Sequence, residues 1–91
     1  PRVVDIMGYD IDIKPEGHML FIKNKDVPGV VGTIGTILGN NSVNIAGYVL
    51  GREEDVDIAY SIIKIDEHIG NEVLDELNAL DVIIQIDQLK V

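Results

Sequence analysis

The order in which the apolar periodicity changes along the chain restricts the fold most. From residue 18 onward it switches between a period of two, the mark of a strand, and about 3.6, the mark of a helix. Residues 18–23 carry Met19, Leu20, Phe21 and Ile22 in a row. A run apolar on both faces suits a central strand. Val30, Val31, Ile34, Ile37 and Leu38 then fall at i, i+1, i+4, i+7 and i+8, one helical stripe. Residues 43–51 and 56–65 read as two more strands, joined by the charged turn Arg52-Glu53-Glu54-Asp55, with Val56, Ile58, Tyr60 and Ile62 on one face. Val73, Leu74, Leu77 and Leu80 form a second helical stripe, with Asn71 as its expected N-cap and Glu72 in the dipole-favoured first turn. Val82, Ile84 and Ile86 share one face of a last strand. The order β-α-β-β-α-β is the ferredoxin-like α+β sandwich, with two helices on one face of a four-stranded antiparallel sheet.

Ahead of this unit, residues 2–13 read as a short β-hairpin. Val4 and Ile6 alternate with polar positions, Gly8-Tyr9 make the turn, and Ile11 and Ile13 alternate with Asp10 and Asp12. Such a hairpin is marginal alone, and Tyr9 is expected to lie over the sheet. Lys14-Pro15-Glu16-Gly17 is a connector. The expected organisation is one domain over residues 1–91, with hairpin and connector over 1–16 and the core over 17–91. Two helices cover one sheet face only. Apolar residues on both faces of several strands therefore ask for protein cover, a homo-oligomer of at least two chains or docking on a host domain.

The first strand runs into Asn24-Lys25-Asp26-Val27-Pro28-Gly29-Val30. Pro28 lacks an N–H and fixes φ near the helical value, which suits the first helical position, with Val27 as N-cap. Gly29 is then expected to be helical and to leave bare backbone at the helix mouth. Free N–H groups and the helix dipole favour an anion there. Asn24 and Asp26 add side-chain oxygens beside it. A small zwitterion finds both halves of its chemistry at such a place, while the same residues also suit an ordinary capped turn. Gly32, Gly35 and Gly39 each weaken the first helix, so it is expected to press on the sheet or on a twin helix. Gly39-Asn40-Asn41 ends it, with Gly39 or an Asn in the left-handed position.

Composition removes other classes. The chain has 91 residues, no Cys and a formal charge of −9. Its 7 scattered basic residues make no phosphate-tracking stripe, so nucleic acid is not an expected partner. No apolar run approaches the ~20 residues of a membrane span. No signal peptide is visible and the first residue is Pro, so a processed or excised piece of a longer, cytoplasmic protein is expected. His18 and His68 are the two imidazoles. Neither has a nucleophile or base near it in sequence, and both read as solvated. Glu53, Glu54, Asp55 and Asp57 read as a solvated turn rather than a metal site, and no nucleotide-binding fingerprint is present.

The segments Asn24 to Gly32 and Val43-Asn44-Ile45-Ala46 resemble an ACT domain. With Gly8-Tyr9, Pro15-Glu16-Gly17-His18-Met19-Leu20 and Leu50-Gly51-Arg52-Glu53, nearly the whole chain looks like the C-terminal regulatory domain of the D-3-phosphoglycerate dehydrogenase family. The resemblance implies a dimeric regulatory domain that binds L-serine, or another small amino acid, at a subunit interface. It implies no cofactor in this domain and NAD in the parent enzyme. The implied ligand positions are Asp26, two before the proline; Asn24, two further back; Gly29; and Asn44. Val27, Pro28, Val30 and Ile45 flank them. The alternatives are a structural dimerisation domain without ligand and the ACT domain of an L-serine dehydratase. An independent enzyme is not expected.

Overall fold

A computed structural model describes residues 3–6, 8–53 and 55–91, and of Val3 and Val4 the backbone alone. Among these the elements run β1 (Val3–Ile6), β2 (Tyr9–Asp12), β3 (His18–Lys25), α1 (Val30–Asn40), β4 (Ile45–Glu53), β5 (Ile58–Ile65), α2 (Asn71–Asn78) and β6 (Ile83–Lys90). β3 to β6 form one antiparallel sheet in the order β4-β5-β3-β6, and β1 pairs with β2. The ferredoxin-like βαββαβ sandwich with a leading hairpin is the observed fold. Arg2 and Glu54, placed above in the hairpin and the charged turn, lie outside the described residues, as does the side chain of Val4.

The unbroken apolar run of β3 is buried on both faces because β3 sits between β5 and β6. Leu20 and Ile22 point to the helices. They pack with Ile63 and Ile65 of β5, with Val30, Ile34, Ile37 and Leu38 of α1, and with Leu77 of α2. Fully burying each such side chain contributes about 1.5–3 kcal/mol. Met19 and Phe21 point the other way and meet Ile62, Ile11 and Ile13. The cover that the sequence argument sought in another protein thus comes, for this part of the sheet, from the chain's own hairpin.

An aromatic and charged latch accompanies that packing. The Tyr9 ring stacks on Tyr60 at 4.1 Å and stands 5.9 Å from Phe21. Its hydroxyl donates to the Glu53 carboxylate, and Lys23 Nζ lies 5.5 Å over the ring. The nearby Tyr9 side chain foremost, aided by Glu53, holds the Lys23 amine above its ordinary pKa. Glu16 ties the connector down, 3.4 Å from Lys14 and 3.5 Å from Lys64, and Lys14 foremost holds its carboxyl below the ordinary range.

Several boundaries differ from expectation. Tyr9 opens β2 rather than making the turn, which falls one residue earlier at Gly8 (φ 85°). β4 begins at Ile45 and β5 at Ile58, leaving Val56 exposed in the turn. α2 takes Gly70 as its N-cap, with Asn71 already helical. The chain leaves α1 through Ser42 (φ 60°), not through Gly39 or an Asn. Gly32, Gly35 and Gly39 are not pressed against the sheet, because a Cβ at each meets nothing within 4 Å.

The last strand differs most. Lys23 pairs with Gln85 but Asn24 pairs with Ile83, a register shift that leaves Ile84 as an extra residue. Such a bulge breaks strict alternation. Val82, Ile83 and Ile86 pack on the core while Ile84 is exposed, so Val82, Ile84 and Ile86 do not share a face.

Candidate functional site at the mouth of the first helix

β3 carries Asn24 to the end of the sheet, where the chain must turn back over one face to start α1. Two main-chain bonds pin the exit. Lys25 N–H donates to the Val82 carbonyl and Asp26 N–H to the Asp57 carbonyl, each at 2.8 Å. Pro28-Gly29 then reverses the chain. Gly29 has φ 89° and ψ −9°, the second central position of a type II turn, where Pro-Gly is a favoured pair. The helix therefore begins at Val30, and Gly29, not Val27, is its N-cap. The fixed φ of a proline serves a turn's first central position as well as a helix's first residue, which is why the sequence alone misplaced the start.

No side chain caps α1, and no acidic residue stands in its first turn. The first main-chain bond of the helix runs from Thr33 N–H to the Gly29 carbonyl at 3.0 Å, and Thr33 Oγ1 donates to the same oxygen at 3.0 Å. The N–H groups ahead of Thr33 have no helical acceptor to reach, as at any helix start. Val30 and Val31 of this first turn line a cleft of about 150 Å³, together with Asn24, residues 26–29, Leu50, Arg52 and Ala59. That is well below the ~300–1,000 Å³ of pockets for drug-sized ligands, a size that suits a small ligand. Val27, Pro28, Val31, Leu50 and Ala59 supply apolar wall.

The polar end consists of three side chains. Asn24 is 5% exposed, and its Nδ2 donates to the Lys25 carbonyl at 2.8 Å. Asp26 Oδ2 accepts from Arg52 Nε at 2.9 Å. The Arg52 side chain is 64% exposed and that of Asp26 31%, so water screens the pair.

Asn24, Asp26, Val27, Pro28, Gly29 and Val30 thus meet in one cleft, as grouped from the sequence. Asn44 and Ile45 do not join them. Ile45 pairs with Ile65 at one end of the sheet and Arg52 with Ala59 at the other, roughly 20 Å apart at the usual rise per strand residue. Asn44 there donates Nδ2 to the Asp66 carboxylate at 2.7 Å. Arg52, Leu50, Ala59 and Val31 line the cleft although they are not among the ligand positions named from the sequence. Arg52, Ala59 and Asn24 share one rung across β4, β5 and β3. That rung exists only once the strand order is known. His18 is also less solvated than expected: its Nδ1 is buried without a hydrogen-bond partner among the described residues, and its ring stands edge-on to His68 at 6.3 Å.

Fold and cleft together define the class, a small α+β sandwich module with a cleft at the mouth of the first core helix. The chain belongs to the ACT domain family, whose model matches residues 18–82. It is 36% identical over 85 residues to the D-3-phosphoglycerate dehydrogenase of Bacillus subtilis, covering 93% of this chain and 16% of that protein. With the D-3-phosphoglycerate dehydrogenase of Archaeoglobus fulgidus it shares 38% over 85 residues, covering 91% and 16%. The chain thus spans only 16% of the length of these relatives. The ACT domain from GTP pyrophosphokinase of Chlorobium tepidum superposes with a TM-score of 0.64 at 16% identity, over 84% of this chain and 100% of that one. This last likeness is one of fold alone.

Proposed function

We propose that this chain is the amino-acid-sensing regulatory domain of a cytoplasmic D-3-phosphoglycerate dehydrogenase, and that its ligand is L-serine. The observation that carries the reading is that the uncapped start of α1 and Asp26 line one cleft of about 150 Å³. Main-chain N–H groups suit a carboxylate, Asp26 suits an ammonium, and the apolar wall leaves room for a short side chain. NAD and turnover belong to the rest of the parent; this chain supplies binding.

The site is completed by a second copy. β4 is an edge strand of the sheet. Antiparallel pairing of two β4 edges sets the start of one strand, with Asn44 and Ile45, against the end of the other, with Leu50 and Arg52 at the cleft. Ile45 and Leu50 are 39% and 38% exposed and gain cover by such pairing. Serine held by both chains binds only the paired arrangement and shifts the population toward it. A coupling of about 1–3 kcal/mol is enough to bias closure of a tethered catalytic domain.

Calorimetric titration of the 91-residue chain with a panel of amino acids tests the reading. Heat with L-serine supports it. Silence from every amino acid would leave a structural dimerisation domain instead.

A further inference from the structure

We propose that Arg52 determines ligand specificity, serving as the counter-ion of Asp26 in the empty site and as the reader of the ligand carboxylate in the filled one. The inference rests on the amino-acid-binding reading above and deepens it. It stands on three observations. Arg52 Nε makes a single bond to Asp26 Oδ2, at 2.9 Å, rather than a two-point fork. Both side chains line the same cleft. The guanidinium side chain is 64% exposed.

The cleft thus carries one cation against one anion. An incoming cation alone, or an incoming anion alone, leaves one of the two without its partner. A zwitterion leaves neither. Its ammonium takes Asp26, and its carboxylate takes the guanidinium together with the N–H groups of Val30 and Val31 at the start of α1. Screened pairs of this kind are weak, so exchanging one partner for another costs little. The planar fork of an arginine matches a carboxylate in a way that a lysine ammonium does not. The site therefore selects for both charges of an amino acid at once, and against an amine that lacks the carboxylate.

The test compares L-serine with ethanolamine, which is serine without its carboxylate, on wild type and Arg52→Gln. L-serine affinity falls in the variant by about two- to fivefold, the scale of a solvent-exposed charge pair. Ethanolamine affinity does not fall, and Arg52→Lys recovers part of the loss for serine. A second readout does not depend on a measurable ethanolamine affinity. The chain has two arginines, Arg2 and Arg52, so the Nε–H resonance of Arg52 is assigned by its absence from Arg52→Gln. L-serine moves that resonance in wild type and ethanolamine does not. Heat with serine while the resonance stays still, or equal serine affinity in wild type and Arg52→Gln, overturns the role of Arg52 and leaves amino-acid binding standing. No binding of any amino acid to wild type overturns both.

Discussion

Gly29→Ala separates the observed turn from an ordinary helix start. Gly29 stands at φ 89° and ψ −9°, where a residue with a Cβ is strained. That strain costs about 1–2 kcal/mol. The substitution also stiffens the unfolded chain, which offsets about 0.4–1 kcal/mol. A Cβ at Gly29 meets nothing within 4 Å, so no clash adds to the cost. The net loss is about 1 kcal/mol, which in a domain of this size lowers Tm by about 4–8 °C. Gly29→Asn recovers part of it, because Asn tolerates this turn position better than Ala. Thermal melts by circular dichroism give the ranking, with wild type above Asn and Asn above Ala. Serine affinity follows the same order, since the turn aims the N–H groups of Val30 and Val31. An Ala variant that melts like wild type would refute the argument and put the helix start back at Pro28. Equal losses for Ala and Asn would point to crowding by the side chain rather than to backbone strain.

Two further outcomes concern the hairpin side of the sheet. Gly51→Ala drives a Cβ into the Tyr60 ring, 2.6 Å from its Cε2; the ring must lift from Tyr9, with a loss of about 1–3 kcal/mol and a weaker near-ultraviolet tyrosine signal. The raised pKa of Lys23 means that its stabilising contact is fully present below the ordinary lysine value, ~10.4, and is lost as pH rises through the higher folded value. The Tm gap between wild type and Lys23→Met is therefore constant from about pH 6 to 9 and closes only above pH ~10.4; a gap that varies below pH 9 would contradict this assignment.

The element order was legible because the helical stripes of α1 and α2 and the apolar run of β3 have different periods, and local sequence sets the period. What depends on contacts between distant residues was less so. The bulge at Ile84 is set by pairing between β3 and β6, so simple alternation put Ile84 on the wrong face. The hairpin covers Met19 and Phe21 because of where the connector directs it, and no spacing within residues 2–13 encodes that path. In the site, the residues from Asn24 to Val30 are contiguous or nearly so, and the sequence grouped them. Arg52 reaches them only through the β4-β5-β3 rung, and Asn44 lies at the far end of the same sheet. Pro28-Gly29 was ambiguous for a local reason, since one dipeptide suits both a helix start and a type II turn.

The central claim is a ligand site made by two chains, with Asp26 from one and Asn44 from the other. Mixing Asp26→Ala chains with Asn44→Ala chains tests it most directly. Each parent should bind L-serine poorly, because every site in it lacks one member. In a mixed pair, one site combines the intact Asp26 of one chain with the intact Asn44 of the other. Calorimetry on the mixture should show about one restored site per mixed pair, at wild-type affinity. A mixture that binds no better than either parent would contradict the shared site.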